Sequence, residues 1–220
     1  AWAVAQYNSL ADFEVWDNGS QNEEVKAALN RIEDRGIYVR RNPENVGLDK
    51  AQQESHKRYF DMGMRYVICL EDGCLILPWT VAELVKTMNA YPEIGLAACS
   101  LTAGPLDQSY NLNLVGLSEG ADWWQKRIAH AGEDESKLLA MPNPYPIVWN
   151  SIVEPDPFLW ILRRECWEDV GPIDAEFWNG WGTLLDYSYR AREKGWLAAV
   201  IWDAFAITWD RHIENRTWAE

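Results

Sequence analysis

Tyr66-Val-Ile-Cys-Leu70, followed at once by Glu71-Asp72-Gly73, is the stretch that decides how this chain folds. Its first five residues show no polar alternation. They read as a β-strand covered on both faces, as a central parallel strand of an α/β sheet is. Two adjacent carboxylates at its tip repel each other and lose hydration beside an apolar strand. A bound Mg2+ or Mn2+ would offset that cost, and both ions favour oxygen ligands shared with phosphates. An ordinary acidic turn is the alternative.

Working outward, strand and helix alternate on both sides. Residues 13–16 read as a short strand that ends in the turn Asp17-Asn-Gly-Ser20. Ser20 or Asn22 then caps a helix with Glu23 and Glu24 in its first turn and Val25, Ala28, Leu29 and Ile32 at helical spacing. Gly36 closes it, 37–39 is a second strand, and Asn42-Pro-Glu-Asn-Val-Gly47 is a loop before a helix over 48–62. Downstream of the acidic turn come a helix over 80–91 and a strand over 95–98. Three β-α-β units in succession predict a Rossmann-like α/β fold, a mainly parallel central sheet flanked by helices, with right-handed crossovers. Residues 100–150 read as a long functional loop with a hairpin or short helix near 120–128. The remainder reads as a strand over 158–162, helices over 163–170 and 184–194, and final strands over 197–202 and 205–208. No repeat or linker interrupts this order, so 1–220 is expected to be one domain.

Composition narrows the function. The chain has 220 residues, 48% hydrophobic and 25% charged, which is globular rather than disordered. No apolar run approaches the roughly 18 residues that suggest a membrane helix, and no signal peptide is visible. Cys69, Cys74, Cys99 and Cys166 lie in or beside apolar runs without metal-type clustering. They are expected to be free thiols in a reducing, cytoplasmic setting. Thirty-four acids against 20 Lys plus Arg give a net charge of −14, and no basic cluster offers a grip on nucleic acid. A small anionic ligand remains open if carboxylates hold a divalent metal between it and the protein. The 14 tryptophans are the outlier. Each taken singly reads as core. Together, Trp123, Trp124, Trp178 and Trp181 suit the apolar faces of sugars, with the indole N–H free for hydroxyls.

In an open α/β sheet, ligands bind beyond the carboxyl ends of the strands. Two polar clusters fall there: Asp17-Asn-Gly-Ser20 and Glu71-Asp72-Gly73. These clusters, with Asn45-Val-Gly47, Leu70-Glu-Asp-Gly-Cys74 and Pro78, resemble the family 2 glycosyltransferases. So do Val170-Gly-Pro-Ile-Asp-Ala-Glu-Phe177, Gly180-Trp-Gly182, and the helix carrying Asp186 and Arg190 up to Gly195-Trp196. Order and spacing hold across nearly the whole chain. The resemblance implies the A-type glycosyltransferase fold and a nucleoside-diphosphate sugar donor, with a UDP-sugar favoured. It also implies Mn2+ or Mg2+, a saccharide or other hydroxyl acceptor, and transfer with inversion. Residues 1–100 would form the donor half and 101–220 the acceptor half.

Carried over residue by residue, the resemblance puts Asp17 and Asn18 at the nucleobase, where Asn18 can accept a hydrogen bond through its carbonyl. Glu71 would approach the ribose and Asp72 would ligate the metal, with Asp210 and His212 as further metal-ligand candidates. His212 reads equally as a surface histidine. Lys50 could reach phosphates or stand as a solvated helix lysine. Two departures stand out. Family members begin with a strand that lies at the centre of the sheet, whereas 1–7 here match only the end of the helix after it. A sheet without that strand would leave two open edges, so a shortened chain or a substitute segment is expected. The family's general base falls at Leu184, which cannot accept a proton. Asp186 is the nearest acid on that helix, with an i,i+4 pairing to Arg190 as its structural alternative. Leu184 and the absent strand leave a second reading, a catalytically silent sugar- or nucleotide-binding domain.

Overall fold

A computed structural model of the chain describes residues 12–103, 147–149, 158–176 and 182–208. In chain order these form β1 (Glu14–Asp17), α1 (Glu23–Glu33), β2 (Tyr38–Arg41), α2 (Leu48–Asp61), β3 (Tyr66–Leu70), β4 (Cys74–Ile76), α3 (Thr80–Ala90), β5 (Ile94–Ala103), β6 (Ile147–Trp149), β7 (Leu159–Arg163), α4 (Arg164–Val170), α5 (Thr183–Glu193) and β8 (Leu197–Thr208). The local signals account for most of these boundaries. Asn22 is the cap of α1: its side-chain oxygen accepts from the Glu24 and Val25 N–H groups at 2.8 and 3.4 Å. Gly36, at φ +80, follows the helix in a conformation that suits glycine.

β1 and β2 pair in parallel as a two-stranded sheet. The other six strands form a second sheet in the order β3-β7-β5-β8-β4, with β6 also on β8. This sheet is mixed, which corrects the expectation of a mainly parallel one. Only β5 and β8 pair in parallel there, while β7 lies antiparallel to both β3 and β5, and β4 and β6 run antiparallel to β8. The reason is physical: β7 is buried along its whole length. An apolar strand covered on both faces carries no sequence mark of its direction or its neighbours.

β3 stands at one end of that order, and among the described residues its second edge has no strand partner, nor has the second edge of β1. Most of β3 is only half-buried. The two final strands expected over 197–208 are one strand, whose register against β5 shifts between Cys99 and Ser100.

Alternation along β7 splits the core in two. Trp160 and Leu162 face Phe60, Val67, Cys166, Leu184 and Tyr187, so one layer packs beneath α2, α4 and α5. Leu159 and Ile161 face Val81, Leu84, Met88 and Ile94 beneath α3. Leu84, Met88, Trp160 and Tyr187 are completely buried, so this is a three-layer α/β/α arrangement. Two arginines at the end of β7 serve the two helix layers. Arg163, itself buried, donates to the Ile94 carbonyl at 2.7 Å, to Tyr91 O at 3.2 Å and to Met88 O. Arg164 donates to Met64 O at 2.9 Å and Phe60 O at 3.0 Å. Met88 O and Phe60 O lie in the last turns of α3 and α2, so the guanidinium groups help satisfy carbonyls at those helix ends, Phe60 O alongside the Gly63 N–H. Gly95 is required by space: a Cβ there would lie 2.5 Å from Cys166 Sγ and 3.0 Å from Trp196 Cβ.

Candidate functional site

The turn after β1 and the loop after β2 are stitched together by one side chain. Asn18 Nδ2 donates to Asn45 Oδ1 at 2.9 Å and to the Gly47 carbonyl at 3.2 Å. Its Oδ1 accepts from Asn42 Nδ2 and from the Val46 N–H, both at 3.1 Å. A backbone N–H can only donate and a carbonyl can only accept, so the orientation of this amide is fixed. Both lone pairs of the Asn18 oxygen are therefore engaged within the protein. Asp17 is buried. Its Oδ1 accepts from the Ser20 N–H at 3.0 Å, and its main-chain oxygen accepts from the Asn42 N–H at 2.8 Å. Gly19 sits at φ +78, where a Cβ would fall 2.3 Å from the Glu44 carbonyl carbon. No other residue type fits between these loops without moving backbone.

Gly47, at φ +88, turns the chain into α2. In the first turn Lys50 is exposed and Asp49 is buried. Asp49 Oδ1 accepts from the Thr183 hydroxyl at 2.8 Å, across from the start of α5. One turn on, Gln53 donates to the Ile173 carbonyl at 2.6 Å. Neither contact carries a sequence signal, because each joins residues more than a hundred positions apart.

The acidic turn lies at the carboxyl end of β3. Glu71 donates its N–H to Phe158 O at 2.9 Å and accepts from the Cys74 N–H at 3.2 Å, which closes a tight turn into β4. Asp72 is exposed at its tip and Glu71 is half-buried. β4 pairs antiparallel with the end of β8, Cys74 opposite Thr208. Behind the turn lies an apolar nest. His56 is fully buried on α2, stacked on Trp160 at 4.9 Å and on Trp167 at 5.6 Å between centroids. Its Nδ1 donates to the Gln52 carbonyl at 2.5 Å, so Nε2 is left to accept from the Cys69 thiol at 3.6 Å. Burial pulls the His56 imidazole down to about 4 and pushes the Cys69 thiol up to about 12, with the nearby Glu71 charge adding to the latter. Both groups are neutral at pH 7. They pack behind the turn, where a protonated thiol is a poor nucleophile and His56 Nε2 is engaged by that thiol.

On α5, Leu184 is buried in the core cluster beside Tyr187, while Asp186 is about a quarter exposed, at 26%. Asp186 Oδ2 accepts from Arg190 Nε at 2.8 Å, the pairing that the i,i+4 spacing predicts. Arg190 also donates to the Pro172 carbonyl at 3.0 Å. Asp186 Oδ1 has no partner among the described residues. Asp174 and Glu176 are exposed, with Asp174 accepting from the Glu176 N–H.

Trp123, Trp124, Trp178, Trp181, Asp210 and His212 lie outside the described residues. Among the described residues no three His, Cys, Asp or Glu side chains are grouped to hold a metal, and no helix is long and apolar enough to cross a membrane. None of the four cysteines, all among the described residues, is in a disulfide.

This layered mixed sheet is similar in fold to A-type glycosyltransferase structures. It matches the crystal structure of GalNAc-T7 with UDP, GalNAc and Mn2+ at a TM-score of 0.67 and 14% identity, over 95% of this chain and 40% of that one. It matches the mannosyltransferase PcManGT from Pyrobaculum calidifontis, in complex with GDP-Man and Mn2+, at a TM-score of 0.54 and 16% identity. That match covers 92% of this chain and 50% of the other. The chain thus spans half or less of each protein's length, and at these identities the likeness is one of fold. No protein-family model and no curated protein matches the sequence.

Proposed function

We propose that the chain is a metal-dependent glycosyltransferase of the family 2 kind. It would move a sugar from a nucleoside-diphosphate donor, a UDP-sugar by preference, to a saccharide or other hydroxyl acceptor with inversion. The observation that carries this reading is the acidic turn at the carboxyl end of β3, held against the end of β8, in a fold shared with two glycosyltransferases whose structures contain a nucleotide and Mn2+. Asp72 presents an exposed carboxylate at the turn. Asp210 and His212 follow Thr208 by two and four residues, a reach of roughly 7 and 14 Å of extended chain from the partner of Cys74. Oxygen and imidazole donors suit Mn2+, and carboxylate oxygens suit Mg2+. When bound, such an ion neutralises charge developing on a departing diphosphate.

The chain's own residues would do the rest. Asp17 and Asn18 shape the nucleobase side by locking the loop at 42–47, so a direct contact from Asn18 to uracil requires exchange of one of its present bonds. Glu71 faces the ribose, and Lys50, exposed on the first turn of α2, is available to phosphate. Trp123, Trp124, Trp178 and Trp181 are the residues proposed to stack against the acceptor. Asp186 takes the proton of the acceptor hydroxyl: Arg190 holds one of its oxygens in place and leaves the other for the proton. The burial of Leu184 favours a second reading, a silent nucleotide- or sugar-binding domain of the same fold.

Calorimetric titration with uridine diphosphate in the presence of Mn2+, followed by donor hydrolysis and transfer assays over a panel of UDP- and GDP-sugars, tests both readings. Binding with turnover is the expected result. Binding without turnover establishes the silent domain, and no binding removes the donor reading altogether. Asp186→Asn keeps an oxygen for Arg190 and is expected to lower transfer about 100-fold, as loss of a general base does. A wild-type rate in single-turnover measurements would leave Asp186 as a tether for Arg190.

A further inference from the structure

The bonds around α2 join two regions that the proposed reaction needs in one geometry. Its N-terminus receives the loop that Asn18 locks, through the Gly47 carbonyl at 3.2 Å. Two residues later Asp49, 3% exposed, accepts from the hydroxyl of Thr183, 1% exposed. Thr183 is the first residue of α5, the helix that carries Asp186. Gln53 adds a second strut from the same helix to Ile173, and Arg190 ties α5 back to Pro172 next to it. Both helix starts follow a glycine at positive φ, Gly47 at φ +88 and Gly182 at φ +80. The N-terminal ends of two helices are partial positive charges, and a carboxylate between them is favoured by both dipoles. The Thr183 hydroxyl and the helix N-terminus offset the desolvation of this buried side chain, so the Asp49–Thr183 bond is a specific tie across more than a hundred positions of sequence.

We propose that Asp49 is a positioning residue: through Thr183 it sets the start of α5 relative to the loop at 42–47, so that donor binding is felt at Asp186. The inference rests on the donor and acceptor assignments above. Leu184, buried in the core, fixes the rotation of α5, and the Asp49–Thr183 bond fixes where the helix starts.

Amide hydrogen exchange of the wild-type chain with and without uridine diphosphate and Mn2+ is the test, read at residues 183–190. Nucleotide is expected to slow exchange there by roughly tenfold, the size of an ordinary coupling between sites. Thr183→Val removes the hydroxyl at nearly constant shape. It should keep nucleotide affinity within about twofold while most of that coupling is lost, and Thr183→Ser should restore it. Asp49→Ala tests the same bond from the other side, and the double variant should be no worse than the more affected single one. Nucleotide binding to the wild type without added protection in α5, or Thr183→Val with full protection, overturns the coupling and leaves the donor reading standing. A wild type that binds no nucleotide overturns the donor reading and the coupling with it.

Discussion

Asp72→Ala is expected to abolish Mn2+-dependent binding of uridine diphosphate while thermal unfolding stays within a degree or two of the wild type. The stability half follows from exposure. Asp72 stands at the tip of the turn, and the bonds that close it are made by the backbone of Glu71, Phe158 and Cys74. Surface substitutions away from caps and buried partners usually stay within about 0.5 kcal/mol. The binding half follows from charge. A chain at −14 has no basic cluster to hold a diphosphate, so on the proposed reading the attraction comes mainly through a cation held by carboxylates. Removing one first-hand oxygen ligand from a site of few protein ligands should reduce nucleotide affinity by about 100-fold or more, a loss of roughly 2.7 kcal/mol. Titrations with and without EDTA separate the metal-dependent part. Unchanged affinity in Asp72→Ala would falsify its role as ligand, and a matching loss in Glu71→Gln alone would move the role one residue back.

How far the sequence alone could be read depends on the range of the interaction concerned. Asn22 as a cap, the helical start after Gly47, the strand over 66–70 and the Asp186–Arg190 pair are all local: each is decided within four residues, and each is found where spacing puts it. The direction of β7 and its place between β3 and β5 are long-range, and a fully buried strand looks alike in either direction. The position of β3 at the end of the strand order among the described residues was equally hidden. At the site, the acidic turn was legible because two carboxylates on an apolar strand are costly without a reason. Asp49 was not, because an acid in the first turn of a helix is ordinary and only its burial against Thr183 sets it apart. The bonding of Asn18 was not legible either, since its four partners come from the next loop.

The second large effect is expected in acid. His56 is neutral in the folded chain, with Nδ1 holding its proton against Gln52 O and Nε2 accepting from Cys69. Protonating it would place a cation among Trp160, Trp167 and Phe60 with only a thiol facing Nε2, and burial accordingly depresses its pKa from 6.5 to about 4. The unfolded chain takes up this proton near pH 6.5 and the folded chain does not. Between those values the unfolded state therefore binds more protons, and stability rises with pH. The contribution is complete above about pH 6.5 and is lost as pH falls towards 4, in total roughly 3 kcal/mol at 1.36 kcal/mol per unit. That is a large share of the about 5–15 kcal/mol a domain usually has. Carboxylates also titrate in this range, so the measurement is a difference. Urea midpoints of wild type and His56→Leu, taken at pH 7 and pH 4.5, should converge in acid, because leucine in the same nest has no proton to gain. The variant starts lower at pH 7, since it fills the stack less well, and loses less on acidification. Parallel pH profiles for the two proteins would mean that His56 is protonated without cost in the fold, and that the aromatic nest behind the acidic turn admits water.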